Sequence, residues 1–265
     1  MNEVDRRTRG KSRPGRLRLL DAWLLAEARP LLTRRDGAFA GAVTVDLGLG
    51  AVPWTTRELV AALRTVDPGA EVIGVDIDPG RVADARKLEE LPGLRFQVGG
   101  FDLPRSPAIR LVRAMNVLRQ YDPADVPAAH EALRRAVLPG GLVIEGSTSR
   151  GGDTLAAHLL WGPGRPGEPP VPDALLFMTD FSVGFAPRMF ARCLPRDLRP
   201  ARRPLPRIAA GLDAWTARWQ LVDRADPAAA FAASAVALPG ATVGDGWVFW
   251  TPGAPRAPSP SMPMR

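Results

Sequence analysis

Residues 42–50 read Ala42-Val43-Thr44-Val45-Asp46-Leu47-Gly48-Leu49-Gly50. The first four are apolar or β-branched, the signature of a strand buried on both faces. The run ends on an acid and passes at once into a turn with two glycines. Glycines at that place remove side chains, so that backbone takes positive φ and approaches a ligand closely. Leu59, Val60, Leu63 and Val66 then share one face of a helix, which Asp67-Pro68-Gly69 stops. Thr55 and Glu58 stand three apart and predict a capping box at its start.

The same alternation continues outward. Glu71 to Val75 predicts a second strand, ending in Asp76-Ile77-Asp78, with Asp78-Pro79 as N-cap and first residue of the next helix. A third strand follows from Leu94 to Val98, running into Gly99-Gly100-Phe101-Asp102. A fourth runs from Ile109 to Ala114 and ends at Met115-Asn116. Asp122-Pro123 opens a helix bearing Val126, Ala129, Leu133 and Val137, and Pro139-Gly140-Gly141 turns into a fifth strand, Leu142 to Glu145. Strand and helix alternating through Ser147 predict a parallel sheet with right-handed crossovers. Upstream, Leu20, Trp23, Leu24, Ala28 and Leu31 have helical spacing. Downstream, Ala174 to Met178 predicts a strand, Met189–Leu194, Ile208–Leu221 and Ala228–Leu238 predict helices, and Trp247 to Trp250 a closing strand. The expected fold is α/β: a Rossmann-like, doubly wound, mostly parallel seven-stranded sheet with helices on both faces.

Composition narrows the function classes. No run of eighteen apolar residues indicates a membrane span, and no signal-peptide pattern opens the chain, so the expected location is cytoplasmic. The single Cys193 excludes an intrachain disulfide. With only His130 and His158 beside it, no metal-ligand cluster is expected, and a zinc or iron enzyme is disfavoured. The net charge of +7 is uneven: residues 1–35 hold ten basic against four acidic residues, and residues 185–225 nine against three. Such segments suit a polyanion such as RNA. Nearly all of these basic residues are arginine, however, which points equally to compositional bias.

In open parallel sheets, ligands bind beyond the carboxyl ends of the strands. Asp46 and Asp76 end the first two strands, and a carboxylate at the second accepts two hydrogen bonds from a ribose diol. A dinucleotide fingerprint needs a glycine where Pro53 stands, and no Lys-Ser/Thr follows to make a phosphate loop. An acid two residues before the first glycine suits a cationic amino group better than a phosphate.

These residues resemble the class I S-adenosylmethionine-dependent methyltransferases. Val45-Asp46-Leu47-Gly48-Leu49-Gly50 is similar to the family's first motif, Val72 to Pro79 to its second, and Leu138 to Ile144 to its Pro-Gly-Gly turn and fifth strand. Together they cover about residues 42–147. Val52 to Thr56 and Asn116 to Tyr121 also resemble an actinobacterial subgroup. The resemblance implies S-adenosylmethionine as cofactor and residue roles to match. Asp46 would hold the ligand's amino end, directly or through water. Gly48 and Gly50 would pass beneath it, and Asp76 would bind the ribose. Ile77, Gly100 and Phe101 would border the adenine, and Asn116 would sit near the reactive methyl. Val52 stands where the family often has a third glycine, and Gly100 where it often has an acid. The implied organisation is a disordered basic arm at 1–14, a single methyltransferase-like domain at 15–251, and a disordered tail at 252–265. Within that domain the cofactor-binding half is about 40–147 and the acceptor-side helical part about 148–251.

For the transfer itself, Asn116, Tyr121 and Glu145 are the candidate catalytic residues near the mouth. His130 reads as a surface residue, and His158 as structural or exposed before it reads as a base. Trp215, Trp219, Trp247 and Trp250 read as core. Arg188, Arg192, Arg196 and Arg199 share a helical spacing that Pro195 interrupts. The acceptor is expected to be a small molecule, with RNA open through the arginine-rich segments. Two other readings remain: an NAD(P)-binding oxidoreductase, and a non-catalytic nucleotide- or RNA-binding protein on the same fold.

Overall fold

The computed structural model describes residues 12–88, 91–104, 106–164 and 171–252. Most of the expected arm at 1–14 and nearly all of the expected tail at 252–265 lie outside the described residues. One sheet runs through the described chain: β1 (Val43–Leu47), β2 (Val72–Asp76), β3 (Leu94–Val98), β4 (Ile109–Met115), β5 (Val137–Thr148), β6 (Thr154–Trp161), β7 (Ala174–Thr179), β8 (Thr242–Gly244) and β9 (Trp247–Trp250). Its order is β3-β2-β1-β4-β5-β6-β7-β9-β8.

The α/β class and the doubly wound β3-β2-β1-β4-β5 half agree with the sequence reading. The strand count and the mostly parallel character do not. The sheet has nine strands, parallel from β3 to β5 and antiparallel from β5 to β8. The cause lies in the short connection after β5. Residues 149–153 close a turn in which Gly152 N and the Ser149 hydroxyl are hydrogen-bonded at 3.0 Å, and Ser149 donates to Asp153 at 3.0 Å. A parallel return needs a crossover of a dozen residues or more, so so short a turn permits only an antiparallel partner. That partner, β6, is apolar except for its ends and His158, and every residue in it is buried. The short β8 also had no distinct pattern in the sequence.

The fifth strand begins at Val137, not Leu142. Val137 pairs with Ile109 and Leu142 with Leu111, so the Pro139-Gly140-Gly141 segment bulges, with Gly140 at φ +79°. The capping box is also corrected. Helix α3 (Trp54–Leu63) starts one residue before Thr55, its N-cap is Pro53, and no side chain caps it. Glu58 instead accepts a 2.7 Å hydrogen bond from Gly15 N, tying the N-terminal segment to α3. Asp78 does cap α4 (Pro79–Arg86), accepting from Gly80 N and Arg81 N. The helix expected at Met189–Leu194 is a 3-10 helix, Pro187–Arg192.

Alternating strand residues point to opposite faces. One face packs against α1 (Arg18–Glu27), α2 (Arg29–Leu32), α3 and α4 through Leu20, Leu24, Leu59, Leu111 and Ile144. The other is covered in two patches. Helix α5 (Val126–Ala136) lies over Val112 and Val143 through Leu133. The 3-10 helix, α6 (Pro206–Leu221) and α7 (Pro227–Ala235) cover the antiparallel half, where Phe177, Phe190, Trp215 and Phe231 pack ring against ring at 4.9–6.1 Å. Trp215, Trp219 and Trp250 are core residues, as expected. No helix of the described residues is long and apolar enough to cross a membrane.

Candidate functional site

The carboxyl ends of β1, β2 and β4 converge on two cavities of about 450 Å³ each, within the usual range for small-molecule sites. Gly48, Asp76 and Val117 line both and so mark the divide. The first cavity includes Arg16, Gly50, Thr55, Asn116 and Arg119. The second has Ile77, Gly100, Phe101 and Tyr121. Ile77 is 45% exposed despite being a large aliphatic residue, so it offers an uncovered apolar surface. Gly48 lies at φ +90°, and a Cβ there would stand 2.6 Å from Val117 Cγ2. A side chain at Gly48 would therefore be strained and would crowd the divide.

Asp76 carries the most informative geometry. Its Oδ1 accepts from Asp78 N at 3.0 Å. Its Oδ2 is buried without a hydrogen-bond partner, and Arg81 Nη1 stands 3.8 Å away. A buried carboxylate oxygen left unsatisfied is costly, and Asp76 lines both cavities. Asn116 lies just past β4 at φ +64°, a left-handed conformation that asparagine adopts more readily than most non-glycine residues. It is held there on several sides. Asn116 N donates to Gly146 O at 2.7 Å, its Oδ1 accepts from Thr148 N at 3.1 Å and from Arg16 Nη2 at 3.3 Å, and its Nδ2 donates to Thr148 Oγ1 at 3.3 Å.

Asp46 is placed differently from expectation. It is buried and lines neither cavity. Arg113 Nε and Nη2 donate to its two oxygens at 2.8 and 3.0 Å, and Thr56 Oγ1 donates at 2.6 Å. Arg113 also donates to Asp21 and, at 2.7 Å, to Thr55 O. One fully buried guanidinium thus joins β4, β1, α1 and the start of α3 directly behind the glycine turn. Burial opposes its charge, but Asp21 and Asp46 outweigh burial and hold it firmly protonated. Burial pushes the Asp21 carboxyl up to about 6, the charge of Asp46 adds to the rise, and Arg113 opposes it. A carboxyl raised in the folded state stabilises fully below its unfolded value, and that contribution is lost as pH rises through the folded value. The melting temperature of wild type should therefore fall relative to that of Asp21→Asn from about pH 4 to above about pH 6. A wild type that holds level with or gains on Asp21→Asn over that range would contradict the assignment.

Tyr121 lies in the second cavity, with its ring edge-on to Phe101 at 5.4 Å, and not in the first with Asn116. Glu145, expected at the mouth, lines neither cavity. The strand runs three residues beyond it, and its side chain points to the α5 face, where it meets His130 Nε2 at 3.2 Å. His130 is therefore not a surface residue. Its ring packs edge-on against His158 at 5.1 Å, and His158 Nε2 is 3.0 and 3.1 Å from the two Asp197 oxygens. Burial lowers His158, but Asp197 more than reverses this and raises it above the ordinary histidine value. The sequence expectation that the two histidines join no ligand cluster is thus corrected.

A third cavity, about 550 Å³, shares Arg16, Arg119 and Arg150 with the first and adds Thr148, Ser149 and Arg192. The arginines at 188–199, whose spacing Pro195 interrupts, form no continuous face. Arg196 donates to Tyr121 O at 3.0 Å, and Arg199 to Leu194 O at 3.0 Å, so both turn back onto the chain. Sequence reading missed Arg16, Arg113 and the third cavity. The signal for Arg113 was present: with Arg110 it is one of two charges inside a strand whose other residues are apolar.

No family model and no curated protein matches the chain. Solved structures share part of it. An S-adenosylmethionine-dependent methyltransferase from Mesorhizobium loti is 24% identical over 46% of this chain and 52% of its own, with a TM-score of 0.33. The magnesium protoporphyrin IX methyltransferase of Synechocystis, with bound SAH, is 19% identical over 49% and 53%, with a TM-score of 0.36. The N-methyltransferase NodS of Bradyrhizobium japonicum is 18% identical over 49% and 67%, with a TM-score of 0.35. The chain spans about half the length of the first of these. These overlaps are partial and shallow, and the functional reading rests on the site's own geometry.

Proposed function

We propose that the chain is an S-adenosylmethionine-dependent methyltransferase whose acceptor is a small anionic molecule. The observation that carries the reading is Asp76 Oδ2, buried without a hydrogen-bond partner on a residue that lines both cavities. The residues present fit a nucleoside ligand with a charged tail. Asp76 would take the ribose diol, and Ile77, Gly100 and Phe101 the adenine. Gly48 and Gly50 would let backbone pass close beneath, and Asn116 would face the first cavity, where the transfer would occur. Tyr121 belongs on this reading to the adenine side. Asp46 acts from behind, through Arg113 and Thr56, by fixing the turn rather than by touching the ligand. Bound there, the ligand supplies a methyl already activated by a sulfonium. The chain's own part is to position the acceptor and exclude water.

Arg16, Arg119, Arg150 and Arg192 border the cavities on the acceptor side, where Asp153 is the one acidic lining residue of the third cavity. Several guanidinium groups around one space favour a carboxylate or phosphate. The chain's own arginines also favour a second reading, a phosphate-bearing nucleotide such as NADP(H). Against it stands Pro53, the N-cap of α3, which has no N–H to offer a phosphate. Calorimetric titration separates the two. S-adenosylhomocysteine should bind at one equivalent and NADPH should not, and the reverse pattern would replace the first reading by the second.

A further inference from the structure

Four side chains that play no part in the cavities meet on the far face of the sheet. His130 comes from α5, Glu145 from β5, His158 from β6 and Asp197 from the segment between the 3-10 helix and α6. Glu145 and His158 are directly paired across the antiparallel β5–β6 ladder, so they neighbour each other on one face. The donor atoms of His130, His158 and Asp197 all lie within 4.8 Å of one another. The cluster sits at the seam between the α5 patch and the α6 patch, with Ala156 on one side of His158 packed in the second and Leu160 on the other packed in the first.

Hydrogen bonding does not complete this cluster. A neutral imidazole has one N–H, and each ring has a carboxylate against its Nε2. The two carboxylates need a compensating cation, which either a proton on an imidazole or a bound metal ion supplies. Glu145 Oε1 is buried, on a residue only 1% exposed, and has no partner. Two imidazoles and two carboxylates are all ligand types that zinc accepts. Tetrahedral bonds of about 2.1 Å place donors about 3.4 Å apart. The widest separation, up to 4.8 Å, would need to close by up to about 1.4 Å to reach that spacing.

We propose that His130, His158 and Asp197 bind one divalent transition-metal ion of zinc type, with Glu145 as the fourth ligand or as the hydrogen-bond partner that orients His130. The ion would neutralise the two carboxylates and cross-link α5 and β5–β6 to the segment before α6. None of the four residues lines the cavities, so the site is structural and separate from the transfer chemistry.

The test uses full-length protein without a histidine tag, stripped of metal and titrated with Co²⁺ and then Zn²⁺. Tetrahedral cobalt absorption should saturate at one equivalent, zinc should displace it, and zinc should raise the melting temperature. The chain has only two histidines, so the imidazole ¹⁵N spectrum reports the site without any substitution: both rings should shift on adding zinc. His158→Gln should weaken binding at least tenfold, and Glu145→Gln roughly 10–100-fold if it orients His130. S-adenosylhomocysteine affinity should not change. Absence of the cobalt band overturns the proposal and leaves two plain histidine–carboxylate pairs. Imidazole signals unmoved by zinc, or undiminished binding in His158→Gln, overturn it by placing the ion elsewhere.

Discussion

Arg113→Leu should destabilise the fold by about 3–5 kcal/mol, the cost of removing one partner from a buried ion pair. Arg113 is fully buried and is shared by Asp21 and Asp46. Without it, two carboxylates remain in the core with no compensating charge, and Thr55 O loses its donor. The loss should appear in urea unfolding as a lower midpoint at unchanged slope. The combined variant Arg113→Leu, Asp21→Leu, Asp46→Leu should recover much of the stability, because no unpaired charge then remains. A single-variant cost below about 1 kcal/mol would mean that the cluster is not the brace it resembles. The brace lies just behind the Gly48 turn, so the combined variant should fold and still bind S-adenosylhomocysteine more weakly than wild type.

Asp76→Ala should weaken S-adenosylhomocysteine binding by ~1.5–3 kcal/mol for each charge-assisted hydrogen bond lost, roughly 10–150-fold for one bond. Stability should change little. The substitution removes one acceptor, the partner of Asp78 N, and also removes the buried Oδ2 that has no hydrogen bond in the free protein. Asp76→Asn keeps an acceptor for Asp78 N and should fall between the two. Calorimetry on the three proteins reads the series, and an unchanged affinity in Asp76→Ala would remove the ribose from this position.

Much of the parallel half was legible from residue pattern alone. The strand ends at Asp46, Asp76 and Asn116, and the glycine turn between the first strand and α3, are local features. Side-chain period, helix caps and glycine freedom act over a few residues. Val137 to Thr148 shows where this stopped. The Pro-Gly-Gly turn was visible, yet its bulge depends on register against β4. The antiparallel half was less legible, because β6 is a buried apolar run whose identity as a strand depends on neighbours on both sides.

The candidate site divides in the same way. Gly48, Gly50, Asp76, Ile77, Gly100, Phe101 and Asn116 all come to the cavities, since each sits at or just past a strand end, and strand ends in such a sheet share one edge. Which way a side chain turns, and what meets it there, was decided only by packing. Arg113 finds Asp46 across 67 residues and Asp21 across 92. His158 finds Asp197 across 39. A buried charge must be paired wherever the fold allows, and that requirement leaves no local mark on the sequence beyond a charge in an apolar run. The strand edge where a ligand can lie was thus set by the order of residues. The removal of Asp46 from the cavity, the move of Glu145 to the opposite face and the meeting of the two histidines were set by the tertiary structure, because each depends on a partner distant in the chain.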